Sequence, residues 1–397
     1  MKSSISGIVI CFVCCMFLLV SGCVEVGVKD QKAATTRSGT SKIPKISAEA
    51  MTCIECHKRK QISNIALRDW QFSTHAERGV TCLDCHIPVS GASKNIVQGT
   101  TLCDDKNVRR SVSPKNCEEC HSDEAKQFAA GKHANAWTVL QDLQNSSEIS
   151  GTFKIEEDCS GCHRIGRDDG KCDSCHTRHR FAASEARRPE ACRTCHMGPA
   201  HPQWETYDTS KHGSIYSIEG QNWYWEKSIS EWYKAPLIES PVIPRAPVCV
   251  TCHMPDGSHA IGVVSESGDD QLPNDSMSKV CSQCHTSSFS NDTLRKARGT
   301  VDLCDKLLAR AINLVDGLYK DGIITKTDNL YPHIDVLRFA EFKNPIEERI
   351  YRMMILHKKN AYMGAFHINP TYLHDYGLAE MKHDLKEIEI MANHLRK

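Results

Sequence analysis

Residues 159–201 read CSGCHRIGRDDGKCDSCHTRHRFAASEARRPEACRTCHMGPAH and hold three copies of one pattern, Cys-x-x-Cys-His. Each copy sets two thiols about one helical turn apart with an imidazole directly behind them. That spacing suits covalent attachment of a haem: the thiols add to its two vinyl groups, and the adjacent histidine faces the iron as proximal ligand. Searching outward in both directions gives eight copies. They are Cys53-Ile-Glu-Cys56-His57, Cys82-Leu-Asp-Cys85-His86, Cys117-Glu-Glu-Cys120-His121, Cys159-Ser-Gly-Cys162-His163, Cys172-Asp-Ser-Cys175-His176, Cys192-Arg-Thr-Cys195-His196, Cys249-Val-Thr-Cys252-His253 and Cys281-Ser-Gln-Cys284-His285. Zinc also uses paired cysteines. A zinc site has no need of a histidine after every pair, whereas past the N-terminal apolar run every Cys-x-x-Cys here has one. The sequence therefore predicts eight covalently attached c-type haems, with iron as the metal and the eight motif histidines as proximal ligands.

The apolar fraction is 40%, a little below the ~45–50% of ordinary globular chains. Eight apolar macrocycles make up the difference, so the expected fold is mainly α: short helices and loops wrap haems over residues 51–290, and long helices follow over 291–397. Cys159 and Cys172 are thirteen residues apart, a stretch that spans no more than ~45 Å even when extended. Haems that close pass electrons to one another. Lys plus Arg and Asp plus Glu number 49 each, and this balance gives no reason to expect a nucleic-acid partner.

The chain opens with Lys2, an apolar run from Gly7 to Val20, and then Ser21-Gly22-Cys23. The run is shorter than the ~20 residues that span a bilayer, so residues 1–22 read as an export signal. Val20-Ser21-Gly22-Cys23 resembles a bacterial lipobox, which makes Cys23 a lipidated first residue of the mature chain and residues 23–50 a polar flexible tether. The alternative is simple cleavage. Either way the expected location is outside the cytoplasmic membrane, periplasmic or equivalent, with membrane contact through Cys23 in the lipoprotein reading. Cys11, Cys14 and Cys15 leave with the signal. Cys103 and Cys304 remain, as a disulfide or, the reading favoured here, as buried free thiols.

Twenty histidines less eight proximal ones leave twelve. A pure electron carrier coordinates each iron from both sides and needs eight more ligands; an enzyme that binds a small molecule at one iron needs seven. His75, His133, His179, His212 and His259 lie inside the haem-bearing region, and His357 and His367 lie in the C-terminal stretch LHKKNAYMGAFHINP. These seven are the candidate distal ligands. His333, His374, His383 and His394 fall in polar or late segments and read as surface residues. His201 is left over.

From Asn291 the texture changes. Val301, Cys304, Leu308, Ala311, Ile312, Val315 and Tyr319 recur at three- and four-residue steps, predicting an amphipathic helix over 293–320 capped by Asn291 or Asp292. A second helix opens after Asn344-Pro345 and is broken at Asn369-Pro370, and a third covers roughly 376–395. Tyr216, Trp223, Tyr224 and Trp225 cluster within a short segment; packing is the favoured reading and a substrate lining the other.

The central stretch CDSCHTRHRFAASEARRPEACRTCHMGPAHPQWETYDTSKHGSIY, with APVCVTCHMPDGSHAIG after it, resembles the octahaem hydroxylamine oxidoreductase family of multihaem c-type cytochromes. The resemblance runs from about Cys53 to the GAFHINP segment. It implies a mostly helical, commonly trimeric protein with seven electron-transfer haems and one catalytic haem, the fourth, held by Cys159, Cys162 and His163. In the family an Asp-His pair after the sixth motif reaches over the open face of that haem as a proton relay. The matching positions are Ala200 and His201, so the histidine is kept and the carboxylate is not. Oxidative members also join a tyrosine from a neighbouring subunit to the catalytic haem; the matching region here holds Tyr372 and Tyr376.

Two functions follow as expectations. In the first, the chain is a haem-dependent oxidoreductase of nitrogen metabolism, oxidising hydroxylamine or hydrazine or reducing nitrite or hydroxylamine at the fourth haem, with His163 and His201 in the catalytic site. In the second it is a non-catalytic electron-transfer subunit of a membrane-linked complex. A small c-type cytochrome or a quinone-linked membrane complex is the expected electron partner in either case. Reduction of a sulfur oxyanion, as in other octahaem cytochromes, fits the surrounding motifs less well.

Overall fold

Each attachment motif folds as a single helical turn. The motif histidine's amide donates back to the first cysteine's carbonyl at His121 (2.8 Å), His163 (3.1 Å), His176 (3.0 Å), His196 (3.0 Å) and His285 (2.9 Å). The two cysteines, three residues apart, therefore share one side of the turn. The second and seventh motifs are the helices Cys82–His86 and Cys249–His253. The first lies within α1, Ala48–Arg59, whose first turn is capped by the Ser47 side chain. The short helix α2, Asn64–Gln71, follows it.

The computed structural model describes residues 46–62, 64–90, 108–109, 111–145, 159–199, 201–232, 244–262, 274–326 and 344–397. All belong to one compact unit, Pro44–Lys397. The export signal, Cys23, most of the tether, Cys103, Ala200 and His333 lie outside the described residues. Among the described residues there is no strand, and no helix is long and apolar enough to cross a membrane. The fold is mainly α, as expected from the motifs.

Short spacers hold the motifs together by tight turns. Between the fourth and fifth, Asp168, Asp169 and Gly170 take left-handed φ values of 53°, 69° and 112° in succession. A Cβ on Gly170 would also lie 2.5 Å from the Phe128 ring, so that position requires glycine on both counts. Asp168 is braced by Lys171 Nζ at 3.7 Å.

The C-terminal half is a helical module. Helix α3 runs over Ser287–Lys320, capped by Thr286, whose side chain accepts from the Phe289 amide. It starts earlier than the periodicity predicts because Ser287-Ser288-Phe289 continues the helix behind a better cap than Asn291 or Asp292. Its buried residues Cys304, Leu308, Ala311, Val315 and Leu318 alternate at four- and three-residue steps. They pack against a matching row in Leu378, Met381, Leu385, Ile388 and Ala392, the last four of which lie on α6, Ala379–Leu395. Two such stripes bury one continuous seam. Cys304 sits in it as a free thiol, 1% exposed, and burial pushes its pKa up to about 11.

Between these helices lie α4, Pro345–Arg352, and α5, Lys358–Phe366, joined by a π-turn at Met353–His357. Asn344 caps α4 by accepting from the amides of Ile346 and Glu347, ahead of the proline at the first helical position. The first turns of α3 reach past the module: Phe289, Ser290, Thr293 and Leu294 line the cavity described next.

Candidate functional site

A cavity of about 3760 Å³ runs through the motif-bearing part of the chain, several times the ~300–1,000 Å³ of an ordinary small-molecule site. All eight motif histidines line it, as do fifteen of the sixteen motif cysteines, all but Cys56. Thiols of different motifs touch across it: Cys117 with Cys172, Cys162 with Cys195, and Cys192 with Cys249. The third and fifth, fourth and sixth, and sixth and seventh attachment points are therefore neighbours. No group of three or more His, Cys, Asp or Glu converges as a metal site among the described residues, so the cysteine pairs do not assemble into zinc-type clusters.

Axial geometry is the sharper test of fit. Two imidazoles bound on opposite faces of one iron through bonds of about 2 Å have ring centres about 6 Å apart. His86 and His179 stand 6.3 Å apart, His121 and His75 6.1 Å, His176 and His259 6.2 Å. His196 and His133 stand 6.0 Å apart, His253 and His367 6.3 Å, His285 and His212 6.2 Å. Six of the seven candidate distal ligands thus face a motif histidine at the span that one iron requires.

Burial favours the neutral form, with a lone pair to give, at His75, His133, His176, His179, His212, His253, His259 and His367. Burial and then the facing His196 push His133 down to about 4, and burial together with His259 and His367 respectively does the same to His176 and His253. Backbone carbonyls fix ring orientation from behind: His86 Nδ1 lies 2.6 Å from the Arg109 oxygen and His367 Nδ1 2.9 Å from that of Met363. Each Nδ1–H donates there, leaving Nε2 as the ligating atom. The residues fit bound haem.

His357, expected as the seventh distal ligand, is a correction. It does not line the cavity. The π-turn that contains it inserts an extra residue per turn, and the ring enters the helical module, 7% exposed, with Nδ1 2.6 Å from Asp384 Oδ2. His374, His383 and His394 are exposed on the C-terminal helices.

His201 does line the cavity. Its ring centre is 6.3 Å from that of His163, at an interplanar angle of 88°, and 6.4 Å from that of His196. The loop that carries it is turned by Gly198, at φ 88°. Gly198 N–H donates to Glu205 Oε1 at 2.8 Å, and His201 N–H donates to the Gly198 carbonyl at 3.0 Å. Glu205 Oε2 is buried without a hydrogen-bond partner among the described residues. Sequence reasoning passed over Glu205; the signal was a carboxylate one helical turn beyond His201.

Asn369 ties the C-terminal segment to this loop's helix, Gln203–Asp208. Its Nδ2 donates to the Thr206 carbonyl and to Thr209 Oγ1, both at 2.8 Å, and Oδ1 accepts from the Tyr372 amide at 3.2 Å. The side chain is 1% exposed. Asn369→Leu strands the buried Thr206 carbonyl, a loss of about 1–3 kcal/mol, while Thr209 Oγ1 keeps its bond to the Glu205 carbonyl. The expected result is a weakened His367 ligand, read as partial loss of one low-spin signal in electron paramagnetic resonance (EPR).

Tyr207, Tyr216, Trp223, Trp225 and Trp232 pack into a separate aromatic core, with Tyr216 hydroxyl 2.6 Å from both oxygens of Glu190. Tyr224 is half exposed. The Tyr372 and Tyr376 rings pack at a tilt of 50°, their centres 5.1 Å apart.

Known proteins agree with this architecture. A family described as "Seven times multi-haem cytochrome CxxCH" matches residues 77–270, which hold the second to seventh motifs. A probable nitrite reductase–hydroxylamine oxidoreductase fusion protein of Kuenenia stuttgartiensis is 31% identical over 236 residues, covering 52% of this chain and 26% of that protein. The chain is similar to hydroxylamine-oxidoreductase-like multihaem cytochromes. It spans about a quarter of that relative's length. The fold matches a reducing hydroxylamine-oxidoreductase-like protein complex of the same organism, with a TM-score of 0.68 at 21% identity over 88% of this chain and 85% of that one. A hypothetical multihaem protein gives 0.68 at 17% identity over 89% and 96%. This likeness supports covalently bound c-type haems and a part in redox electron transfer.

Proposed function

We propose that the chain carries eight haems and is a haem-dependent oxidoreductase of small nitrogen compounds, acting at the fourth attachment site. The observation that carries this reading is His201, whose ring stands opposite His163 across that site on a glycine-turned loop. A haem held by Cys159, Cys162 and His163 supplies, when bound, an iron that takes small nitrogen ligands and exchanges electrons with its neighbours. The chain supplies the rest. His201 moves a proton to or from the substrate on that face, and Glu205 fixes the loop through Gly198. The similar proteins, one a probable nitrite reductase–hydroxylamine oxidoreductase fusion and one a reducing hydroxylamine-oxidoreductase-like complex, support hydroxylamine or nitrite as substrate.

The same reading places the protein outside the cytoplasmic membrane, lipid-anchored at Cys23, as a homotrimer that exchanges electrons with a small c-type cytochrome or a quinone-linked complex. A red-shifted band in the reduced protein would mark a haem cross-linked to Tyr372 or Tyr376 and an oxidative direction.

A second reading has an observation of its own. The His163–His201 separation equals the span of the six other pairs, so His201 bound as a sixth ligand would make the chain an electron conduit. EPR spectra of the oxidised protein titrated with hydroxylamine, nitrite and nitric oxide separate the two. The enzyme requires a ligand-responsive high-spin signal that disappears in Cys159→Ser plus Cys162→Ser. A response undiminished in that variant, or none at all, leaves the conduit.

A further inference from the structure

Helix α2 carries large apolar residues on both of its long faces. Ala66, Leu67 and Trp70 line the haem cavity. On the opposite face, at three- and four-residue steps, stand Ile65, Arg68 and Phe72. The Phe72 amide donates to the Arg68 carbonyl at 3.3 Å and so carries the helical spacing one residue past Gln71. Ile65 is 66% and Phe72 59% exposed. Neither borders the cavity, so packing against haem does not account for them. Arg68, between them, has 68% of its side chain in solvent. Lys58, Arg59 and Lys60 are all exposed at the end of α1, just before Gln61, at φ 53°, turns the chain. Over residues 58–72 four cations meet one carboxylate, Asp69, whose Oδ1 lies 3.8 Å from Arg68 Nε.

We infer that the outer face of α2 and the basic end of α1 form a contact surface for anionic phospholipid. Exposed large apolar side chains flanked by Lys and Arg suit such a surface: the Ile65 and Phe72 side chains enter the headgroup boundary while the four cations meet phosphate. The inference rests on the lipid-anchored reading of Cys23. That residue precedes Ala48 by 25 positions, so an acyl chain on it keeps a bilayer within the ~90 Å that such a stretch can span and turns a weak contact into a persistent one. The anchor supplies proximity and the face supplies orientation. Because α1 also carries Cys53, Cys56 and His57, the contact would turn the first attachment motif towards the membrane, where a quinone-linked electron partner resides.

The test is hydrogen exchange of the haem-loaded mature chain, mixed with vesicles of phosphatidylcholine alone or of phosphatidylcholine with phosphatidylglycerol. The expected result is slower exchange over residues 58–72 only where phosphatidylglycerol is present, reversed by high salt and lost in Ile65→Ser plus Phe72→Ser. Both replaced side chains are exposed, so the variant keeps its packing. Equal exchange over these residues with the two kinds of vesicle overturns the proposal. Sedimentation with both kinds at high salt reports the anchor alone, so loss of the anchor and loss of the face are read separately. Protection of residues 58–72 that appears without lipid, on raising the protein concentration or adding a small c-type cytochrome, also overturns the proposal, in favour of a protein partner.

Discussion

His201→Ala is expected to lower turnover of hydroxylamine or nitrite by about 10²–10⁴-fold, the range that a positioned general acid or base contributes. Substrate binding at the fourth iron should persist, because the proximal His163 and both thioether cysteines are untouched. If His201 is instead a sixth ligand, the same substitution has the opposite signature: a low-spin signal is lost and a new site for nitric oxide appears. Paired stopped-flow turnover and EPR on one preparation tell these outcomes apart. Glu205 refines the result. Glu205→Gln keeps an oxygen to accept from Gly198 N–H (2.8 Å in the parent) and should act mildly, whereas Glu205→Ala frees the loop and should approach the effect of His201→Ala. An inert Glu205→Ala would remove Glu205 from any positioning role.

What the sequence made legible was chemistry fixed by local spacing. Cys-x-x-Cys-His works within one helical turn, so the attachment points and the mainly helical fold could be read directly. His75, His133, His179, His212 and His259 each face a motif histidine at 6.0–6.3 Å, a pairing in keeping with their context among closely spaced motifs. His357 and His201 were not legible, because their roles depend on geometry that a periodic reading does not carry. The π-turn at Met353–His357 rotates His357 away from the cavity, and no residue pattern announced it. His201 was singled out as a spare residue, but its 6.3 Å separation from His163 depends on the Gly198 turn.

Asp384→Ala should cost about 3–5 kcal/mol, the range for breaking a buried ion pair from one side. Asp384 is 0% exposed and accepts from His357 Nδ1 at 2.6 Å and from Arg349 Nη1 at 3.2 Å. A carboxylate acceptor requires the proton on Nδ1 of His357. Removing it leaves an imidazole N–H and part of a guanidinium without partners in the seam between α3 and α6. Arg349 reaches solvent with about a third of its side chain (31% exposed) and can relax outward, so most of the loss falls on His357. The damage should travel: α5 begins directly after His357 and is followed at its C-terminal end by His367, which faces His253 at 6.3 Å. Faster hydrogen exchange is expected through α4, α5 and α6, together with a weakened low-spin signal from the seventh haem and unchanged signals from the second and third. Replacing the whole cluster by apolar residues, as Arg349→Met, His357→Leu and Asp384→Leu together, leaves no stranded charge and should recover most of the stability. Recovery would establish that His357 serves the packing of the module rather than an iron, whereas loss of a second low-spin haem in the triple variant would return it to the ligand set.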